Sequence, residues 1–64
     1  MTKSTEQGFL VEFRQVGNVI KVSAVDPDSG VEVSIMGPAT SPQSELTRGA
    51  INKLKYMLAK QQDR

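Results

Sequence analysis

The chain has no cysteine and no histidine among its 64 residues. Without cysteine there is no disulfide and no thiolate metal site, a composition that fits a reducing compartment. Without histidine the commonest general base, the commonest metal ligand and the side chain that titrates near neutral pH are all missing. Tryptophan is absent as well, and one tyrosine and two phenylalanines are the only aromatics. No apolar run of secretory or membrane-spanning length occurs. These absences point to a soluble, cytoplasmic protein without a membrane partner or a cofactor, whose site chemistry is confined to carboxylates, lysines, hydroxyls and backbone.

What remains is enough for one domain. A chain of this length buries only about 60% of its unfolded surface, so a partner subunit would add needed stability. The formal net charge of +1 is unevenly divided. Residues 1–42 carry three basic and five acidic side chains, a net −2, whereas residues 43–64 carry five and two, a net +3. A basic back half suits a nucleic-acid surface, but cations late in a helix also complement its dipole.

The clearest local pattern is a hairpin. Phe9, Val11 and Phe13 alternate with Leu10, Glu12 and Arg14 in the period of a half-buried strand spanning Phe9 to Gln15. Gly17 and Asn18 tolerate positive φ, as a two-residue primed turn requires. Centring the turn there pairs Val16 with Val19, Arg14 with Lys21, Glu12 with Ser23 and Leu10 with Val25. Phe13 then meets Val22 and Val11 meets Ala24 on the opposite face. The second strand, Val19 to Val25, runs into Asp26-Pro27-Asp28-Ser29-Gly30, where Pro27 sets a type I turn and Gly30 supplies the left-handed return. A third strand follows, paired either as Val25 with Gly30 or as Asp26 with Val31. Both registers place Val31, Val33 and Ile35 on the phenylalanine face and send Glu32, Ser34 and Met36 to the other.

Gly37-Pro38-Ala39-Thr40-Ser41-Pro42 ends the ladder, since neither proline donates a backbone hydrogen bond. Ser41 and Pro42 read as N-cap and first helical residue. From Gln43 to about Gln61, Leu46, Ala50, Ile51, Leu54, Met57 and Leu58 gather into a stripe about 140° wide, as a core-facing amphipathic helix demands. The expected fold is α+β: a three-stranded antiparallel meander followed by one C-terminal helix on one face. Residues 1–7 are expected to be a disordered polar tail, residues 8–61 the domain, and residues 62–64 a frayed end.

Such a meander has two open edges, which natural sheets usually pair or blunt. A homodimer is expected, formed through an edge strand or by exchange of the helix about the proline-rich connection. Leu10, Val25 and Met36 lie on the outer face, and Tyr56 and Gly49 on the side of the helix away from the stripe. These five are the candidate interface for a second copy or an unidentified protein partner. The alternative is nucleic-acid binding through Arg48, Lys53, Lys55 and Lys60. Base stacking on the sheet is disfavoured, because Phe9 and Phe13 face the helix. The serines lack an activating base and the glycines form no phosphate-binding loop, so no catalytic, cofactor or metal residue is assigned.

Val11-Glu12-Phe13, Val16-Gly17-Asn18, Ala24-Val25-Asp26, Ser29-Gly30-Val31-Glu32-Val33 and the Gly37-Pro38 break before a basic helix containing Leu54 have a further implication. Over roughly residues 8–60 the chain resembles a family of short alphaproteobacterial proteins known as a domain of unknown function. The resemblance implies a small cytoplasmic bacterial protein of β-β-β-α layout and carries over no catalytic or binding residue.

Overall fold

A computed structural model describes residues 2–62, with the side chains of residues 2 and 62 left aside. Four strands and a helix follow one another: β1 (Thr2–Glu6), β2 (Phe9–Val16), β3 (Val19–Val25), β4 (Glu32–Pro38) and α1 (Gln43–Gln62). The strands form one antiparallel sheet in the order β1-β2-β3-β4. The sheet therefore has four strands rather than three, and residues 2–6 are its first strand rather than a disordered tail. Thr2–Glu6 holds no apolar residue, so side-chain burial cannot be what selects its conformation. Its backbone pairs along β2, with Thr2 opposite Phe13, Ser4 opposite Val11 and Glu6 opposite Phe9. Gln7 and Gly8 close that hairpin with φ of 54° and 83°, the double positive φ of a type I′ turn. Positions 63 and 64, expected to fray, lie outside the described residues; α1 runs one residue past its expected end.

The central hairpin has the register that its turn dictates: Val16 faces Val19, Phe13 faces Val22 and Leu10 faces Val25. Gly17 carries the positive φ, at 60°. Of the two registers open for the next hairpin, the one that pairs Asp26 with Val31 is adopted, with Asp26 N–H donating to Val31 O at 2.9 Å. Asp26 organises that loop. Its carboxylate accepts from Asp28 N–H at 3.2 Å and from the Ser29 hydroxyl at 2.9 Å, while Gly30, at φ 78°, returns the chain.

Antiparallel ladders alternate between hydrogen-bonded and non-bonded pairs. The Asp26–Val31 bond and the Ala39 N–H to Asn18 O bond of 2.7 Å fix the phase for β4. Val33, Ile35 and Gly37 bond to β3, whereas Glu32, Ser34, Met36 and Pro38 turn their backbone groups outward. Pro38 thus sits where its missing N–H removes no ladder bond. By the same parity Lys3 and Thr5 face outward from β1. The open edges are therefore β1 and β4; Phe9–Gln15, expected at an edge, is internal.

The core is a single layer between the sheet and α1. Val11, Phe13, Ile20, Val22, Ala24 and Val33 meet Ala50, Ile51 and Leu54, all buried, with Phe9, Val31, Ile35, Leu46 and Leu58 packed around them. Met57, expected in the helical stripe, is 38% exposed and lies at its margin. The helix starts a residue later than its cap signal suggests: Pro42 O, not Ser41 O, accepts from Glu45 and Leu46 N–H, at 3.1 and 3.3 Å. Packing falls chiefly on β3 and β4. Gly37 and Gly49 allow this close seat, one facing Leu46 and the other facing Ile35.

Candidate interaction surfaces

Because α1 covers one face over β3 and β4, the molecule presents three distinct surfaces: the uncovered outer face of the sheet, the free edge of β4 beside α1, and a cleft between α1 and the β1–β2 turn. Each expected site residue can be placed on one of them.

The outer face carries Leu10, Val16, Val19 and Met36, exposed by 51, 67, 37 and 69%, together with the half-buried Val25. Register brings Leu10 directly opposite Val25. The two line a shallow depression of about 130 Å³ with Glu12, Ser23 and Lys3. Ser23 is buried there although it lies on the open face, sheltered by its neighbours across the strands. Met36 is not part of that group. It faces Lys21, one step from the Val19–Pro38 pair, so it belongs with Val16 and Val19 at the opposite end. Arg14 and Lys21, directly paired, separate the two apolar groups. Val16 and Val19, which the hairpin register already sets on the Leu10 face, join the candidates through their exposure. A Lys3–Glu12 ion pair of 3.5 Å spans β1 and β2.

On the helix, Tyr56 is 61% exposed, as expected, with the Lys60 ammonium 5.6 Å from its ring centroid. Gly49 does not turn away from the core. A side chain there would begin 3.2 Å from Ile35 Cδ1, so its glycine serves the approach of α1 to β4. Lys53 reaches down to the sheet edge and donates to Ser34 O at 3.0 Å. The four cations proposed for nucleic acid are divided. Lys53 and Lys60 lie on the β4 flank; Arg48 lies on the opposite flank, in the cleft, and Lys55, seven residues on, points to that same side.

That cleft, of about 300 Å³, has Glu6 and Gln7 on one side and Ser44, Thr47, Arg48 and Asn52 on the other. It was not visible in the sequence, because one wall belongs to the turn after β1. Among the described residues no group of three or more acidic, histidine or cysteine side chains is placed to hold a metal. No helix among them is long and apolar enough to cross a membrane.

A family model described as a domain of unknown function, DUF6898, matches residues 6–61. The chain belongs to this family. The match spans β2 to α1 almost entirely and begins at the last residue of β1. No curated protein and no solved structure is significantly similar to the chain. The family supplies a layout and no activity, and functional reasoning rests on the surfaces just described.

Proposed function

We propose that this member of the family is a homodimeric interaction module without catalytic activity, acting as an accessory to a protein partner in the cytoplasm. The observation that carries this reading is the uncovered outer face, on which Leu10, Val16 and Met36 are each more than half exposed. Scattered apolar residues are ordinary on a surface. Here they form two groups on a rigid four-stranded platform, with the Arg14–Lys21 row between them. Such a surface suits a protein partner with apolar anchors on either side of an acidic strip. The depression beside Leu10 is far smaller than the usual ligand pocket of roughly 300 Å³ or more, which favours contact over enclosure. The cations of α1 are split between two flanks, which weakens the case for docking the helix along a groove of nucleic acid.

Light scattering on a size-exclusion run, with and without short DNA or RNA at low and high salt, tests the reading. A dimer indifferent to nucleic acid supports it. A monomer at every concentration, or a complex with nucleic acid that dissolves steeply with salt as phosphate contacts require, overturns it.

A further inference from the structure

The two open edges differ in a way that selects one of them. Outward backbone groups on β1 belong to Lys3 and Thr5, and a lysine on an edge opposes pairing with another chain. On β4 they belong to Glu32, Ser34 and Met36, with Pro38 at the strand's end, and Lys53 of the helix reaches that edge at Ser34. Resting on the homodimer reading, we propose that two copies join through β4, antiparallel about Ser34, into a continuous eight-stranded sheet with the two α1 helices side by side on one face.

Backbone parity permits it. With Ser34 facing the partner's Ser34, Glu32 faces the partner's Met36, and these three residues direct their N–H and C=O across the seam while Val33 and Ile35 between them bond to β3. The Lys53 ammonium, which donates to Ser34 O at 3.0 Å, covers the middle of this edge in the single chain. In the pair the Ser34 carbonyl receives the partner's Ser34 N–H instead. A helix seated over β3 and β4 would stand two strand spacings from its counterpart, about 9.6 Å. Packed helices lie 8–10 Å apart, so the spacing closes without adjustment.

Helix chemistry selects the same centre independently. At 100° per residue, Glu45, Gly49, Lys53, Tyr56 and Lys60 fall within about 80° of one another, on the flank where Gly49 meets Ile35 and Lys53 meets Ser34. Antiparallel helices centred beside Lys53 bring Glu45 against the partner's Lys60 and Gly49 against the partner's Tyr56. Lys53 lies beside this centre, offset by one residue from its own copy. Each contact occurs twice, giving two opposite-charge pairs and two aromatic rings set beside glycines. Moving the strand centre by one residue slides one helix past the other by about 6.6 Å, more than four helical residues, and breaks both matches.

Sedimentation velocity over a concentration series tests this with edge and charge variants. Ser34→Pro removes the outward N–H at the centre and is expected to raise the dimer dissociation constant at least about tenfold. Thr5→Pro, the equivalent change on the β1 edge, is expected to leave it unchanged. Glu45→Lys and Lys60→Glu should each weaken the dimer roughly tenfold, and the double variant should return to within about threefold of the parent. That double variant is the worst of the three for the helix dipole, so its recovery cannot come from a more stable monomer. If Ser34→Pro fails to fold by circular dichroism, the charge series decides alone. A dimer that ignores all these changes overturns the β4 seam while leaving the homodimer in place. A chain that stays monomeric to millimolar concentration overturns both.

Discussion

Leu46 occupies the space that a side chain on Gly37 would need: an ideal Cβ there would lie 2.7 Å from Leu46 Cδ2. Gly49 has the same relationship to Ile35 in milder form, at 3.2 Å. These two glycines bring α1 close to β4, yet alanine should affect them in opposite directions. At Gly37 the half-buried Leu46 must move, and Gly37→Ala is expected to cost about 1 kcal/mol. At Gly49 the tip of Ile35 has to give by a few tenths of an ångström, while the helix gains up to about 1 kcal/mol of propensity. Gly49→Ala is therefore expected to stabilise by about 0.5 kcal/mol. Urea melts of the two variants check the contrast, and a loss of stability in both would mean that Ile35 is held as firmly as Leu46.

The contrast between these glycines also marks what could be read from the sequence. The β2–β3 register was legible to the residue because Gly17-Asn18 admits one centre and every facing pair then agrees. A helical wheel placed Gly49 off the apolar stripe correctly as an angle. It could not show that a residue without a side chain lets the axis approach until Ile35 reaches it. β1 was hidden for a different reason. Period-two reading needs apolar contrast, and Thr2–Glu6 has none; the available signal was Gly8, placed for a two-residue turn just before Phe9. Missing β1 also hid the cleft that Glu6 and Gln7 help to line, and it misassigned β2 to an edge. Of the outer-face candidates, Leu10 and Val25 follow from the β2–β3 register alone, whereas the place of Met36 depended on which of the two β3–β4 registers is adopted.

Turn strain gives a second prediction, separable from steric contact. Gln7 is the one non-glycine at positive φ among the described residues. A side chain other than Asn or Asp in that region costs roughly 1 kcal/mol, so Gln7→Asn is expected to raise stability by about 0.5 kcal/mol and the melting temperature by a few degrees. Gly17 has no atom within 4 Å of an added Cβ. Gly17→Val should still cost about 1–2 kcal/mol through backbone strain. Chemical synthesis with D-alanine at position 17 should instead leave stability unchanged or higher, because a D-residue prefers positive φ. A destabilised D-alanine protein would refute the strain account.

Leu54 is fully buried at the centre of the helical stripe. Truncating a leucine in such a site costs about 2–5 kcal/mol, and a single-layer core of this size rarely supplies more than about 3–5 kcal/mol in total. Leu54→Ala is therefore expected to be largely unfolded at 25 °C by circular dichroism, whereas Leu58→Ala, at a half-buried position, should remain folded with a lower denaturant midpoint. By comparison the Lys3–Glu12 pair, with side chains 74 and 43% exposed, should contribute at most about 0.5 kcal/mol. Lys3→Ala should barely move the melt.

Amide hydrogen exchange tests the strand that the sequence concealed. With β1 paired to β2, the amides of Phe9, Val11 and Phe13 point into the ladder formed with Glu6, Ser4 and Thr2, and the amides of Lys3 and Thr5 point to solvent. The expected pattern is protection at 9, 11 and 13 with rapid exchange at 3 and 5, an alternation that follows from antiparallel parity alone. A polar tail that left β2 unpaired would expose all five. Deleting residues 2–6 should abolish the protection at 9, 11 and 13. It should also turn β2 into an open edge flanked by Phe9, Val11 and Phe13, the kind of edge on which chains aggregate. Rising light scattering in that variant, absent from the parent at equal concentration, is the expected outcome. A soluble deletion variant with unchanged exchange would show that β1 contributes neither pairing nor protection.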